Sequence, residues 1–275
     1  MTINAIFYVI AAVLYLVSAW GIYSFARELD PKPKTWVRPA VGAGLLIQAF
    51  LIYEALFTHG TPHFGLALAL SITLFSCTAI LFVESFFTRI GTLLMFVLPV
   101  GAAGMLLPLA MPGTPLGPET ASFTFRMHLL LAILSYSLMT LAMIQALMLT
   151  ALQKWLRDGS INEDCEEGKV SILQNVPSLI EMESVLFRML WAGFMILTAA
   201  VVFGALYTFN LYDTPFRFDH KTVTTIIAWA IFGVLLWGHH VKGWRGRFAA
   251  RWVVVGFCML MIAYIGVRLV VEVAG

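Results

Sequence analysis

The chain has 275 residues, of which 60% are hydrophobic and 12% charged, with a formal net charge of +2 at pH 7. Charged residues make up about 25% of a soluble domain, so a water-soluble domain of this length is excluded, and so small a net charge gives no ground for nucleic-acid binding. The three cysteines, Cys77, Cys165 and Cys258, form no C-x-x-C pair, which argues against a thiol redox enzyme.

Eight apolar stretches follow in chain order: Ala5 to Ala26, Pro39 to Phe57, Phe64 to Val83, Ile90 to Met111, Met127 to Leu152, Met189 to Leu211, Thr222 to Val241 and Trp252 to Val271. Each is close to the ~20 residues that a helix needs to cross a hydrocarbon core about 30 Å thick. The expected fold is therefore all-α, a polytopic membrane bundle of about eight transmembrane helices in one domain over residues 1–275. The first stretch has no basic segment before it and no small-residue cleavage pattern, so it reads as a retained helix rather than a signal peptide.

Basic residues sort these spans. Arg27, Lys32, Lys34 and Arg38 fill the first gap, Arg89 the third, Lys154, Arg157, Lys169 and Arg188 the fifth, and Lys242, Arg245, Arg247 and Arg251 the seventh, which places 13 of the 17 Lys and Arg residues in alternate gaps. By the positive-inside rule those gaps face the cytoplasm, and with an even number of spans both termini lie outside. The longest connection, Gln153 to Arg188, is then cytoplasmic and carries the acidic cluster Glu163, Asp164, Glu166 and Glu167, which reads as a solvated loop. After it, Ser178 and Glu181 have capping-box spacing, followed by Met182, Val185, Leu186 and Met189 at helical intervals. That pattern predicts a short helix on the membrane surface leading into the sixth span.

Six histidines are the residues with chemistry to offer: His59, His63, His128, His220, His239 and His240. On this topology the first four lie at the external face, and His239 and His240 at the cytoplasmic end of the seventh span. Neutral imidazole is a good ligand for a metal ion or for haem iron, although a histidine at a helix end is also an ordinary interfacial residue. His128 shares its helix face with Ser135 and Tyr136, seven and eight positions on, which either orient a ligand or hydrogen-bond to a neighbouring helix. Tyr207, Phe209, Tyr212, Phe216 and Phe218 form an interfacial aromatic belt or, alternatively, a flat apolar platform for a porphyrin with Arg126, Arg217 or Lys221 as propionate partners. No G-x-S-x-G, H-E-x-x-H or P-loop motif occurs, and no paired intramembrane carboxylates.

The last third of the chain resembles the cytochrome c assembly family of integral membrane haem-handling proteins, which includes CcsA, CcmC and HemX-like members. The resemblance rests on Glu181-Met182-Glu183-Ser184-Val185-Leu186-Phe187-Arg188 running to Gly193-Phe194, Thr198 and Gly204. It continues through Asp219-His220-Lys221, Trp229, Gly243-Trp244-Arg245-Gly246, Gly256-Phe257, Tyr264 and Gly266-Val267, with Met127-His128 and Ser135-Tyr136 upstream. These motifs together cover about 150 residues within a family core of roughly 64–271, and the resemblance is closest to the YpjD and HemX-like branch. It implies a haem-binding inner-membrane protein of cytochrome c biogenesis, a delivery or accessory protein rather than a stand-alone enzyme, with non-covalent b-type haem as cofactor. Its implied partners are lipid and apocytochrome c or other biogenesis proteins.

Carried over, His128 matches the external axial ligand, His239 or His240 matches a histidine in the span after the haem-binding loop, and His220 stands in for a second external ligand. Arg126 and Tyr136 complete the implied cofactor set. The chain lacks the family's tryptophan-rich signature between Tyr207 and Lys221 and a histidine after the last span. That departure keeps a second reading open: a HemX-like adaptor that regulates or stabilises a partner enzyme such as glutamyl-tRNA reductase. A small-solute transporter is a third, without paired buried charges or broken-helix repeats to support it.

Overall fold

A computed structural model describes residues 2–27, 35–57, 63–86, 91–111, 114–115, 122–157, 178–212 and 220–263. Among them are eight helices: α1 (Thr2–Arg27), α2 (Val37–Phe57), α3 (Leu66–Glu84), α4 (Gly91–Ala110), α5 (Phe123–Arg157), α6 (Leu179–Tyr212), α7 (His220–Lys242) and α8 (Gly246–Met261). The first seven are long and apolar enough to cross a membrane. α8 runs for 16 residues and begins before the expected Trp252 boundary, taking Arg247 and Arg251 into the helix. Two short strands, β1 (His63–Phe64) and β2 (Thr114–Pro115), pair antiparallel with His63 opposite Pro115. Two residues are too few to leave a period in the sequence.

The chain divides into two compact units, Met1–Leu116 with Asp158–Ser178, and Gly117–Arg157 with Leu179–Gly275. In the first, α1 packs on α2 and α4, and α3 on α2 and α4. Its centre is Tyr15, fully buried, whose ring lies so close to α2 that a Cβ at Gly44 would stand 2.6 Å from its Cε1. The Tyr15 hydroxyl donates to Gln48 Oε1 at 2.8 Å, and Gln48 Nε2 donates to the Ser71 carbonyl of α3 at 3.3 Å. A polar chain of this kind ties three helices together where lipid offers no alternative partner.

The second unit is built on α5 and α6, with α8 against α5 and α7 on α8 and α6. α5 has 35 residues and α6 has 34, which at 1.5 Å per residue makes each roughly 50 Å long, well beyond a ~30 Å hydrocarbon core. The expected separate surface helix before the sixth span is not found: Leu179–Tyr212 is one continuous helix. The reason lies in what covers its first turns. Met182, Val185, Leu186 and Met189 are buried, and Gln145 Nε2 of α5 donates to the Met182 carbonyl at 3.0 Å. The apolar stripe that suggested a membrane-surface helix is instead buried where α6 meets α5.

α7 and α8 are joined by a tight turn in which Gly243 and Gly246 have φ of 66° and 60°, a left-handed conformation that glycine adopts without steric cost. The acidic cluster at 163–167 lies outside the described residues.

Candidate functional site

His128 sits in the second turn of α5, and its imidazole is pressed against α6. Its Nδ1 lies 2.7 Å from the carbonyl oxygen of Ala200. A carbonyl only accepts, so Nδ1 carries the hydrogen and donates it, and in the neutral ring the lone pair belongs to Nε2. One turn further along α6 the ring meets Gly204, where an added Cβ would lie 2.9 Å from both Cε1 and Nδ1. At the same end, the rings of Phe125 on α5 and Tyr207 on α6 are 5.3 Å apart, and Arg126 is exposed. Arg126 is two positions from His128 and so lies on a different face of α5.

Ser135 and Tyr136 both hydrogen-bond to neighbouring helices. Ser135 Oγ donates to the Gly193 carbonyl of α6 at 3.3 Å, and the Tyr136 hydroxyl donates to the Leu260 carbonyl of α8 at 3.0 Å. Their hydrogen bonds brace α5 between its two neighbours. On α6, Thr198 Oγ1 accepts from Trp229 Nε1 of α7 at 2.9 Å, and Trp229 stacks on Phe194 with centroids 5.7 Å apart.

His239 belongs to the opposite end of the unit. Its Nδ1 donates to the Trp244 carbonyl at 2.8 Å across the α7–α8 turn, and its ring stacks on Phe187 of α6 with centroids 3.4 Å apart. His240, its neighbour, is exposed. Thirteen positions along α6 separate Phe187 from Ala200, about 20 Å of helix rise, so His128 and His239 cannot ligate the same iron. His220 is the first residue of α7, with its side chain outside the described residues, and His63 is placed by its backbone alone; His59, Arg217 and the aromatics Phe216 and Phe218 lie outside the description.

Around the turn, the Gly246 N–H donates to Glu183 Oε1 of α6 at 3.2 Å. Lys242 lies over the Trp244 ring at 5.7 Å. Lys242, Arg245, Arg251, Arg188, Lys154 and Arg157 are all exposed, so the described residues of the His239 end are rich in basic side chains.

The family model for "Cytochrome C assembly protein" matches residues 40–274. The chain belongs to this family. It is 32% identical over 203 residues to the Inner membrane protein YpjD of Escherichia coli (strain K12), covering 72% of this chain and 71% of that one. It is 25% identical over 248 residues to the Cytochrome c biogenesis protein CcsA of Synechococcus sp. (strain RCC307), covering 83% and 80%. A second CcsA, from Parasynechococcus marenigrum (strain WH8102), is 27% identical over 170 residues, 56% of this chain and 55% of that one.

Sequence reasoning selected His128 without seeing what holds it. Ala200 contributes only its backbone, which no side-chain pattern reveals. Gly204 had a signal: Gly193 and Gly204 are eleven apart and fall on nearly the same face of an α-helix, the small-residue face by which one membrane helix approaches another. Both meet α5, Gly193 at Leu138 and Met139 and Gly204 at His128.

Proposed function

We propose that this protein binds haem at the His128 end of its second unit and handles it for cytochrome c biogenesis in the inner membrane. The observation that carries the reading is the held imidazole. A histidine whose Nδ1–H is donated to a backbone carbonyl, leaving the lone pair on Nε2, has the arrangement usual for a metal-ligating histidine. A porphyrin brings four nitrogens of its own, so one or two protein ligands suffice. The donor chemistry therefore fits haem iron.

In this reading His128 Nε2 ligates the iron, and Phe125 and Tyr207 offer apolar surface to the ring. His220 is the candidate second ligand. Bound haem supplies the iron and its redox chemistry; the chain supplies the ligand, fixes its tautomer and shields one face. Two similarities support the assignment: the relatives carry the names Cytochrome c biogenesis protein CcsA and Inner membrane protein YpjD. The exposed basic residues at the His239 end favour a cytoplasmic placement for that end. His128 then faces outward, with both termini on its side of the membrane.

The test is the visible spectrum of the protein purified in mild detergent, wild type beside His128→Ala. A Soret band that His128→Ala weakens or shifts supports the site. A wild-type protein with no Soret band, or a His128→Ala spectrum identical to wild type, removes it.

A further inference from the structure

We propose that Gly204 is a positioning residue for His128: the absence of a side chain at this point of α6 is what lets the imidazole reach the Ala200 carbonyl and adopt the Nδ1–H tautomer. The ring occupies the space that a Cβ would need, since an added Cβ would lie 2.9 Å from both Cε1 and Nδ1, the carbon and the nitrogen nearest the hydrogen bond. Real Cβ atoms essentially never approach other heavy atoms below 3.0 Å, so one of the two groups must move.

The geometry decides which. Gly204 is held in a continuous helix whose carbonyl also accepts from Thr208 Oγ1 at 2.9 Å, whereas the imidazole turns about two side-chain torsions. The ring is the group that gives, and on this proposal its displacement draws Nδ1 off the Ala200 carbonyl that it meets at 2.7 Å. Without that acceptor nothing in the contact selects Nδ1–H over Nε2–H, and the fraction of rings presenting the Nε2 lone pair falls. The importance of this for ligation rests on the haem reading above; the contact and the tautomer do not.

Gly193→Ala supplies the matched control. It adds the same methyl group to the same seam of α6, but against Leu138 and Met139 at 3.1–3.5 Å rather than against the histidine.

Three measurements test the proposal. Thermal unfolding in detergent is followed for Gly204→Ala and Gly193→Ala, each in wild-type and His128→Ala backgrounds, a double-mutant cycle. Gly204→Ala should lower the melting temperature in the wild-type background and have little effect once the ring is removed, while Gly193→Ala behaves alike in both. If Gly204→Ala fails to fold, the His128→Ala/Gly204→Ala protein should fold again. A Gly204→Ala defect of equal size in both backgrounds, or a double variant that stays unfolded, overturns the contact.

In haem-free protein with 15N-labelled histidine, wild type should show two imidazoles fixed as the Nδ1–H tautomer, that of His239 bound to the Trp244 carbonyl and that of His128, and it is the His128 fixed signal that His128→Ala removes and Gly204→Ala converts to a tautomeric average. Retention of the fixed His128 signal in Gly204→Ala overturns the positioning role. Finally, Gly204→Ala should weaken haem retention by about 10- to 100-fold, the usual cost of losing a hydrogen bond behind a metal ligand, and Gly193→Ala should not. Wild-type retention in Gly204→Ala overturns the link to ligation. Wild type that binds no haem removes the haem reading alone, because the other two measurements still decide the Gly204 contact.

Discussion

α8 begins without a capping side chain at its own N-cap position. Arg245 stands at its N-cap with extended dihedrals and makes no side-chain capping bond, and the first N–H of the helix, Gly246, is satisfied from α6 by Glu183 Oε1. The half-buried Glu183 carboxylate therefore caps α8 from a neighbouring helix. We predict that Glu183→Ala destabilises the protein by about 0.5–2 kcal/mol, the range for loss of an N-cap acceptor. Glu183→Gln keeps an oxygen that can accept the same hydrogen and loses only the favourable placement of negative charge at a helix N-terminus, roughly 0.3–1 kcal/mol. The order of stability should be Glu, then Gln, then Ala, and the gap between Glu and Gln should narrow at high salt because the charge effect is screened. Equilibrium unfolding in mixed micelles, followed by far-ultraviolet circular dichroism at two salt concentrations, measures all three proteins. Equal losses for Gln and Ala would refute the acceptor role, and no loss for Ala would refute the cap altogether.

Two further predictions address the rest of the structure. Tyr15→Phe removes the donor to buried Gln48 Oε1 and should cost about 0.6–1.5 kcal/mol, the span from typical membrane-protein to soluble-protein hydrogen bonds; adding Gln48→Leu should recover part of the loss, and a fully additive double variant would contradict the coupling. In a Cys165→Ser background, a membrane-permeant maleimide should label exposed Cys258 and spare fully buried Cys77 until the protein is unfolded, as mass spectrometry of the intact chain would show; early labelling at Cys77 would contradict the packing of the first unit.

The helices were legible because the bilayer imposes a length on each apolar run, and the starts and ends of α2, α4 and α7 fall within two residues of the sequence boundaries. α5 and α6 were underestimated for the same reason. An apolar window stops at Gln153 and Lys154, but these residues are good helix formers, and α5 runs on to Arg157. The surface helix expected after Ser178 shows the limit of periodicity: Met182, Val185 and Leu186 announce an apolar face without saying whether lipid or α5 covers it. At the candidate site, His128 was visible as a residue type at a helix end. Its hydrogen-bond partner was not, since a backbone carbonyl on another helix has no signature, and the same holds for Tyr136 and Leu260. His239 and His240 could not be separated by spacing, and it is the turn at Gly243 and the Phe187 ring that give His239 a fixed orientation.

Ligation of haem iron by His128 is tested most directly by removing the imidazole and returning it as a free molecule. His128→Gly protein, loaded with haem and titrated with imidazole, should begin with an altered visible spectrum and recover the wild-type ligand-field bands saturably as imidazole fills the vacated position. A wild-type spectrum in His128→Gly before any imidazole is added would contradict the account.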